Sequence, residues 1–197
     1  MMKAFCAATA ITVGSGGTSL AAEPVPVQNR YLIERTFPAG VLDGIDEATK
    51  RKVNDNNASV QVNWEKSYVN DDKTRTYCIY NGPSEEAVRE AARLNGLPVD
   101  SIVAIPLGHK PEPIGAVQKL AAGSQRYLVT RRGDVAFHDI NDEKAGVRLI
   151  TSYLAPDKRS SYSIYEAPDF SSVERAAKAS GSSFESIVEV PETLYPR

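Results

Sequence analysis

Residues 31–37 read Tyr-Leu-Ile-Glu-Arg-Thr-Phe, which in an extended chain puts Tyr31, Ile33 and Phe37 on one face and Leu32 on the other. A strand that is apolar on both faces is covered on both. Residues 60–69 alternate Val60, Val62 and Trp64 against Gln61, Asn63 and Glu65, the period of a half-buried strand. The turn Asn70, Asp71, Asp72, Lys73 leads into a further strand over 75–80, so the two pair as a hairpin. Between the first strand and this hairpin, residues 44–57 are polar with Ile45, Ala48 and Val53 on one side, which predicts a helix ended by an Asn-Asp-Asn-Asn cluster. A second helix is predicted over 85–95. Ser84 is its N-cap, Glu85 and Glu86 lie where the helix dipole favours carboxylates, and Gly96 closes it. Residues 100–106 form a last strand stopped by Pro106.

The order is β-α-β-β-α-β, the ferredoxin-like plait of four antiparallel strands with both helices on one face. The chain then repeats it. Aligned without a gap, residues 64–106 and 149–191 agree at sixteen of forty-three positions, far above chance for unrelated strand and helix segments. The identities cluster: Ser67 and Tyr68 with Ser152 and Tyr153, Asp72 and Lys73 with Asp157 and Lys158, Tyr77 and Tyr80 with Tyr162 and Tyr165. Each copy opens on a related string, RYLIER at Arg30 and RYLVTR at Arg126. The copies are unequal, because too few residues separate Arg131 from Leu149 for a full first helix. A lone plait leaves one sheet face bare, and joining two in one chain brings those faces together at high effective concentration. The predicted fold class is α+β: two tandem plaits packed sheet to sheet as a pseudo-dimer, the second lacking most of its first helix.

The expected organisation is a signal peptide at 1–22, a first repeat at 30–106, a linker at 107–124 with a short helix near 114–122, and a second, degenerate repeat at 125–191. The first residues combine one lysine, a stretch of small apolar residues and a small-residue run before Glu23, the order of a secretory signal. The expectation is a periplasmic or secreted protein, soluble once the leader is removed, and monomeric because the dimer is internal. Cys6 belongs to the leader, so Cys78 remains alone and forms no internal disulfide. A net charge of −2 without a basic stripe argues against a nucleic-acid partner.

The strings YLIERTFPAG, SYV and TRTYCIYNGPSEEAVREAARLNGLPVDSI resemble a family of small bacterial proteins catalogued as a domain of unknown function, whose best-described members are ferredoxin-like, dimeric and nickel-binding. The likeness runs from Arg30 to Ile105 and returns more weakly in the second copy, where Leu149 replaces Trp64 and Ser163 replaces Cys78. The resemblance implies the fold, the pairing, and a divalent cation such as nickel as the cofactor class. It carries no ligand residues across, because this chain has only His109 and His138 to offer as imidazoles.

Three constellations remain. His138, Asp139, Asp142 and Glu143 lie in one polar string and form the candidate metal site, against the alternative of a charged turn capping a residual helix. Cys78 is a candidate ligand or nucleophile, against the alternative of an inert small hydrophobe in mid-strand. Tyr68, Tyr80, Tyr153 and Tyr165, with Glu34 and Arg35 beside them, are the candidates for an inter-sheet pocket, against the alternative that the rings fill a closed core. Alternation groups Tyr68 with Tyr80 and puts Tyr77 on the opposite face. No phosphate loop, nucleophile elbow or cysteine cluster is present. The leading expectation is a binding protein, with a paired-barrel enzyme or a protein-interaction module as the alternatives. The first copy alone keeps Trp64, Cys78, Glu34 and a full first helix, so a specific site belongs on that copy or at the seam.

Overall fold

The computed structural model describes residues 29–105, 120–133, 140, 142–181 and 183–196. In the first copy, β1 (Asn29–Thr36) is followed by a 3-10 turn at Val41–Gly44, α1 (Glu47–Ala58), the hairpin β2 (Asn63–Val69) and β3 (Arg75–Gly82), α2 (Glu85–Leu94) and β4 (Ser101–Ile105). The second copy has β5 (Gln125–Arg132), β6 (Arg148–Leu154), β7 (Ser160–Ala167), α3 (Phe170–Ala179) and β8 (Ser186–Glu189), with a 3-10 turn at Glu143–Ala145 where the first copy has α1. A last strand, β9 (Glu192–Leu194), ends the chain. The leader, most of the linker and its expected helix lie outside the described residues.

Local chemistry explains the elements that the repeat preserves. Ser84 and Asp169 cap α2 and α3 by accepting from Ala87 N and Ser172 N. The repeated Asp-Lys pair belongs to the hairpin turns: the Asp72 and Asp157 carboxylates accept from the backbone N–H two residues on, and Lys73 and Lys158 sit at φ 55° and 58°. That left-handed residue closes a four-residue hairpin loop.

The strands form two antiparallel sheets, ordered β4-β1-β3-β2-β9 and β6-β7-β5-β8. The facing sides bury Leu32, Tyr68, Tyr77 and Ile79 against Leu128, Tyr153, Tyr162 and Ile164. The opposite sides are covered by helices: Tyr31, Ile33, Cys78 and Tyr80 pack with Val88 and Ala91 of α2, and Tyr127, Val129 and Tyr165 with Val173 and Ala177 of α3. The two plaits are therefore packed sheet to sheet, as the pattern predicts.

One face assignment is corrected. Tyr68 lies directly across from Tyr77, so both point into the seam, whereas Tyr80 is on the helical side. A β-bulge between Trp64 and Lys66 inserts one residue into β2 and flips the parity of everything after it. The same bulge recurs between Leu149 and Thr151. Simple alternation cannot register it.

The end of the chain crosses between the copies. After Val190 the backbone leaves the second sheet, and β9 pairs with β2 of the first, with Leu194 opposite Ser67 and Glu192 opposite Val69. Asn54 of α1 donates to the Pro196 carbonyl at 3.0 Å, fastening the tail across that helix.

Because the copies share one core, a lesion in one should be felt in the other. Leu128→Ala removes a fully buried side chain at the seam and should lower the unfolding free energy by about 2–5 kcal/mol. In a urea titration, Trp64 fluorescence, a first-copy probe, should shift its midpoint together with far-UV circular dichroism. A shift seen by only one probe would mean that the copies unfold independently.

Candidate functional site

Helix α1 is mostly polar, and its inner stripe is thin: among its residues only Asn57 is fully buried. By contrast α2 buries Val88, Ala91 and Ala92. A helix with so little apolar volume cannot fill the space between itself and the sheet. The result is a cavity of about 170 Å³ under α1. Its floor is the helical face of the first sheet, with Trp64, Ser67, Cys78 and Tyr80; its roof is Val53 with the preceding turn at Val41, Leu42 and Ile45; Phe37 and Leu194 also line it. The register of β9 puts Leu194 there, because directly paired residues share a face.

Polar groups on the floor are chained together. Trp64 Nε1 donates to Ser67 Oγ at 3.0 Å, Ser67 Oγ donates to Cys78 Sγ at 2.9 Å, and the thiol donates to Thr76 Oγ1 at 3.2 Å. Arg35 also lines the cavity and is only 2% exposed. One of its terminal nitrogens donates to the Pro98 carbonyl, and its guanidinium carbon lies 5.8 Å from the centre of the Tyr80 ring. Its Nε has no hydrogen-bond partner. Lys50 is the second cation in the lining and pairs with Glu47 at 2.8 Å; no carboxylate is in the lining.

Among the described residues, the second copy buries a further apolar side chain on the helical side of its sheet. Ile140 is buried among Tyr127, Val147 and Tyr165, and its backbone N–H donates to the Tyr165 hydroxyl at 3.4 Å. Ser163 stands for Cys78 and shares a hydrogen bond of 2.9 Å with Ser152; Arg131 Nη1 donates to Ser163 at 3.4 Å.

The six inter-sheet candidates divide evenly. Glu34, Tyr68 and Tyr153 face the seam, whereas Arg35, Tyr80 and Tyr165 are on the helical sides and so lie outside the inter-sheet space for which they are candidates. In the seam, Tyr68 and Tyr153 bring their hydroxyls to 3.5 Å and their rings pack in the shared core. Glu34 is tied across it, accepting from Tyr162 at 2.7 Å and Arg132 at 2.5 Å, and also accepts from Ser101 of its own sheet at 3.0 Å. A carboxylate held by three donors is a fastening between copies rather than a free base. The cavity residues that sequence reasoning passed over include Lys50, Thr76, Leu42 and Leu194. The thin apolar stripe of α1 was the only trace of them in the sequence.

The comparisons bear on family. The sequence signature of the SCO4226-like nickel responsive proteins matches residues 31–105 and 131–190, more than half of the chain and both copies. This chain belongs to the SCO4226-like family. No curated protein sequence matches it. Among solved structures it is similar to chlorite dismutase from Candidatus Nitrospira defluvii in complex with imidazole, at 7% identity over 82% of this chain and 89% of that one, with a TM-score of 0.40. It is also similar to a microcompartments protein from Desulfitobacterium hafniense DCB, at 15% identity over 84% and 94%, with a TM-score of 0.33. Likenesses of that size carry nothing about activity.

The family description makes nickel the metal to test against these side chains. Among the described residues no group of three or more His, Cys, Asp or Glu side chains could hold a metal ion. The buried thiol has two hydroxyls for company, and the cavity that it lines also holds a guanidinium and an ammonium, which repel a divalent cation. The described residues thus do not fit a resident nickel ion. Of the candidate metal string, His138 and Asp139 lie outside the described residues, as does His109. Asp142 caps the short 3-10 turn by accepting from Ala145 N, and Glu143 is exposed.

Burial governs the tyrosines. It pushes the Tyr80 hydroxyl well above the ordinary phenol range, with Cys78 adding to the effect and Arg35 opposing it. Tyr162 is raised by burial and then by the Glu34 carboxylate to which it donates, and Tyr77 by burial against the pull of Arg75. An acid whose folded pKa is raised keeps its full stability below the unfolded value, near pH 10, and loses it as pH rises towards the folded value. The unfolding free energy should therefore be flat up to about pH 9.5 and then fall, by at most about 1.4 kcal/mol per pH unit for each resisting tyrosine. Absorbance at 295 nm, read beside urea titrations, should show those phenols ionising only as the chain unfolds. Full ionisation while the fold persists would contradict the packing described.

Proposed function

We propose that this SCO4226-like chain is a binding protein, with its working site in the cavity under α1, and that it takes up a small, largely apolar molecule without transforming it. The observation that carries this reading is the coincidence of three features. Of the four features that the first copy keeps and the second has lost, Trp64, Cys78 and α1 line the same cavity, and Glu34 faces the seam. The size is suitable, since a dry apolar cavity of about 150 Å³ accommodates benzene. Noncatalytic binding is favoured because no carboxylate lines the cavity and the Ser67 and Thr76 hydroxyls are each hydrogen-bonded to the Cys78 thiol. The leader pattern at 1–22 supports a periplasmic or secreted setting for it.

Trp64 is the only tryptophan of the chain, so its emission reports on occupancy. Toluene added to the full chain should shift or quench that emission saturably and raise the melting temperature, as expected for a ligand that binds only the folded state. Val53→Phe, which fills the roof, should abolish both responses while leaving the fold intact. A toluene response undiminished in that variant would place binding elsewhere.

The family description as nickel responsive supports a second reading, in which a divalent cation is held by His138 and Asp139 together with Asp142 and Glu143. Calorimetric titration with nickel should then give heat that His138→Ala removes. No heat at millimolar nickel would eliminate it.

A further inference from the structure

We infer that the molecule held under α1 carries an anionic head, in the simplest case a carboxylate on a compact apolar body, and that Arg35 is the residue that reads it. This deepens the cavity reading above and rests on it.

A guanidinium removed from water is normally paired with a carboxylate or another anion, because an uncompensated buried charge is expensive. Arg35 is fully buried, and among the described residues no carboxylate lies within ion-pair distance of it. Its recorded partners are neutral: the Pro98 carbonyl and the Tyr80 ring. A guanidinium has five N–H donors in a planar fork, and Nε is left without an acceptor. The rest of the lining points the same way. The second charged group there is Lys50, a cation already paired with Glu47, whereas no acidic side chain pairs with Arg35 among the described residues. Much of the remaining wall is apolar, including Trp64, Phe37, Val53 and Leu194, and the Ser67 and Thr76 hydroxyls on the floor are already bonded to the Cys78 thiol. A molecule complementary to this space is apolar along its body and bears one acceptor-rich, negatively charged end, for which the guanidinium fork has bidentate geometry.

Arg131 in the second copy is an internal comparison. It too is buried, with Nε and one terminal nitrogen unpartnered, and its other terminal nitrogen donates to Ser163 at 3.4 Å. An arginine in this place of the plait is thus compatible with the fold alone. Arg35 in addition lines a cavity.

The test compares two probes of nearly equal shape, cyclohexanecarboxylate and cyclohexylmethanol, titrated into the full chain at pH 7 and followed by Trp64 emission and calorimetry. The carboxylate should bind at least ten-fold more tightly than the alcohol. Arg35→Met should erase that preference, and Arg131→Met, a buried arginine outside this cavity, should preserve it. Equal affinities in the unaltered chain overturn the anion assignment and leave the cavity reading standing, and because that comparison needs no variant, it decides even if Arg35→Met fails to fold. Retention of the preference in Arg35→Met instead overturns the assignment to Arg35. Binding of neither probe, with no response to toluene either, overturns the cavity reading and this inference together.

Discussion

Everything in this protein depends on two apolar sheet faces being hidden against each other. A plait covers one side of its sheet with helices and leaves Leu32, Tyr77 and Ile79 on the other, and water would not tolerate that face. The duplicated chain supplies Leu128, Tyr162 and Ile164 as the cover. Since the partner is tethered, the encounter costs no bimolecular entropy. Two further links keep the sheets in register: Glu34 is held by Tyr162 and Arg132 at one place, and β9 crosses from the second copy to pair with β2 at another.

That division of labour frees one helix from structural duty. With the seam providing the central core and α2 packing tightly on the first sheet, α1 can be polar and thinly anchored without the fold being lost. The second copy shows the alternative outcome, in which the helix has been reduced to a 3-10 turn and Ile140 is buried on the helical side of the sheet. Retaining α1 in the first copy leaves a space beneath it. The floor of that space is strand and therefore rigid, its roof is a lightly packed helix, and one wall, Leu194, comes from the far end of the chain. A rigid floor beneath a roof with few buried contacts allows entry without unfolding.

Much of the architecture could be read before any coordinates. The strands and helices of the first copy, the Ser84 cap and the missing helix of the second copy all follow from spacing, because these are local or tandem properties. The faces of the tyrosines did not follow. Tyr68 changes sides because of a bulge at Trp64 and Lys66, and one inserted residue in a period-two pattern leaves no mark in composition. Of the candidate site, Arg35 and Tyr80 were singled out for the seam and are found on the opposite face of the sheet, beside Cys78.

By itself the sequence determined that there are two copies, that they are plaits, that they are unequal and that the first is the one to watch. Those properties are carried by repetition and periodicity, which survive without knowledge of distant contacts. Only the tertiary structure decided where the inequality acts. Trp64, Cys78, Arg35 and Leu194 are scattered from position 35 to position 194, and they meet because strand pairing brings β1, β2, β3 and β9 into one sheet under one loosely filled helix. A cavity is volume left over after packing, and no residue encodes it alone.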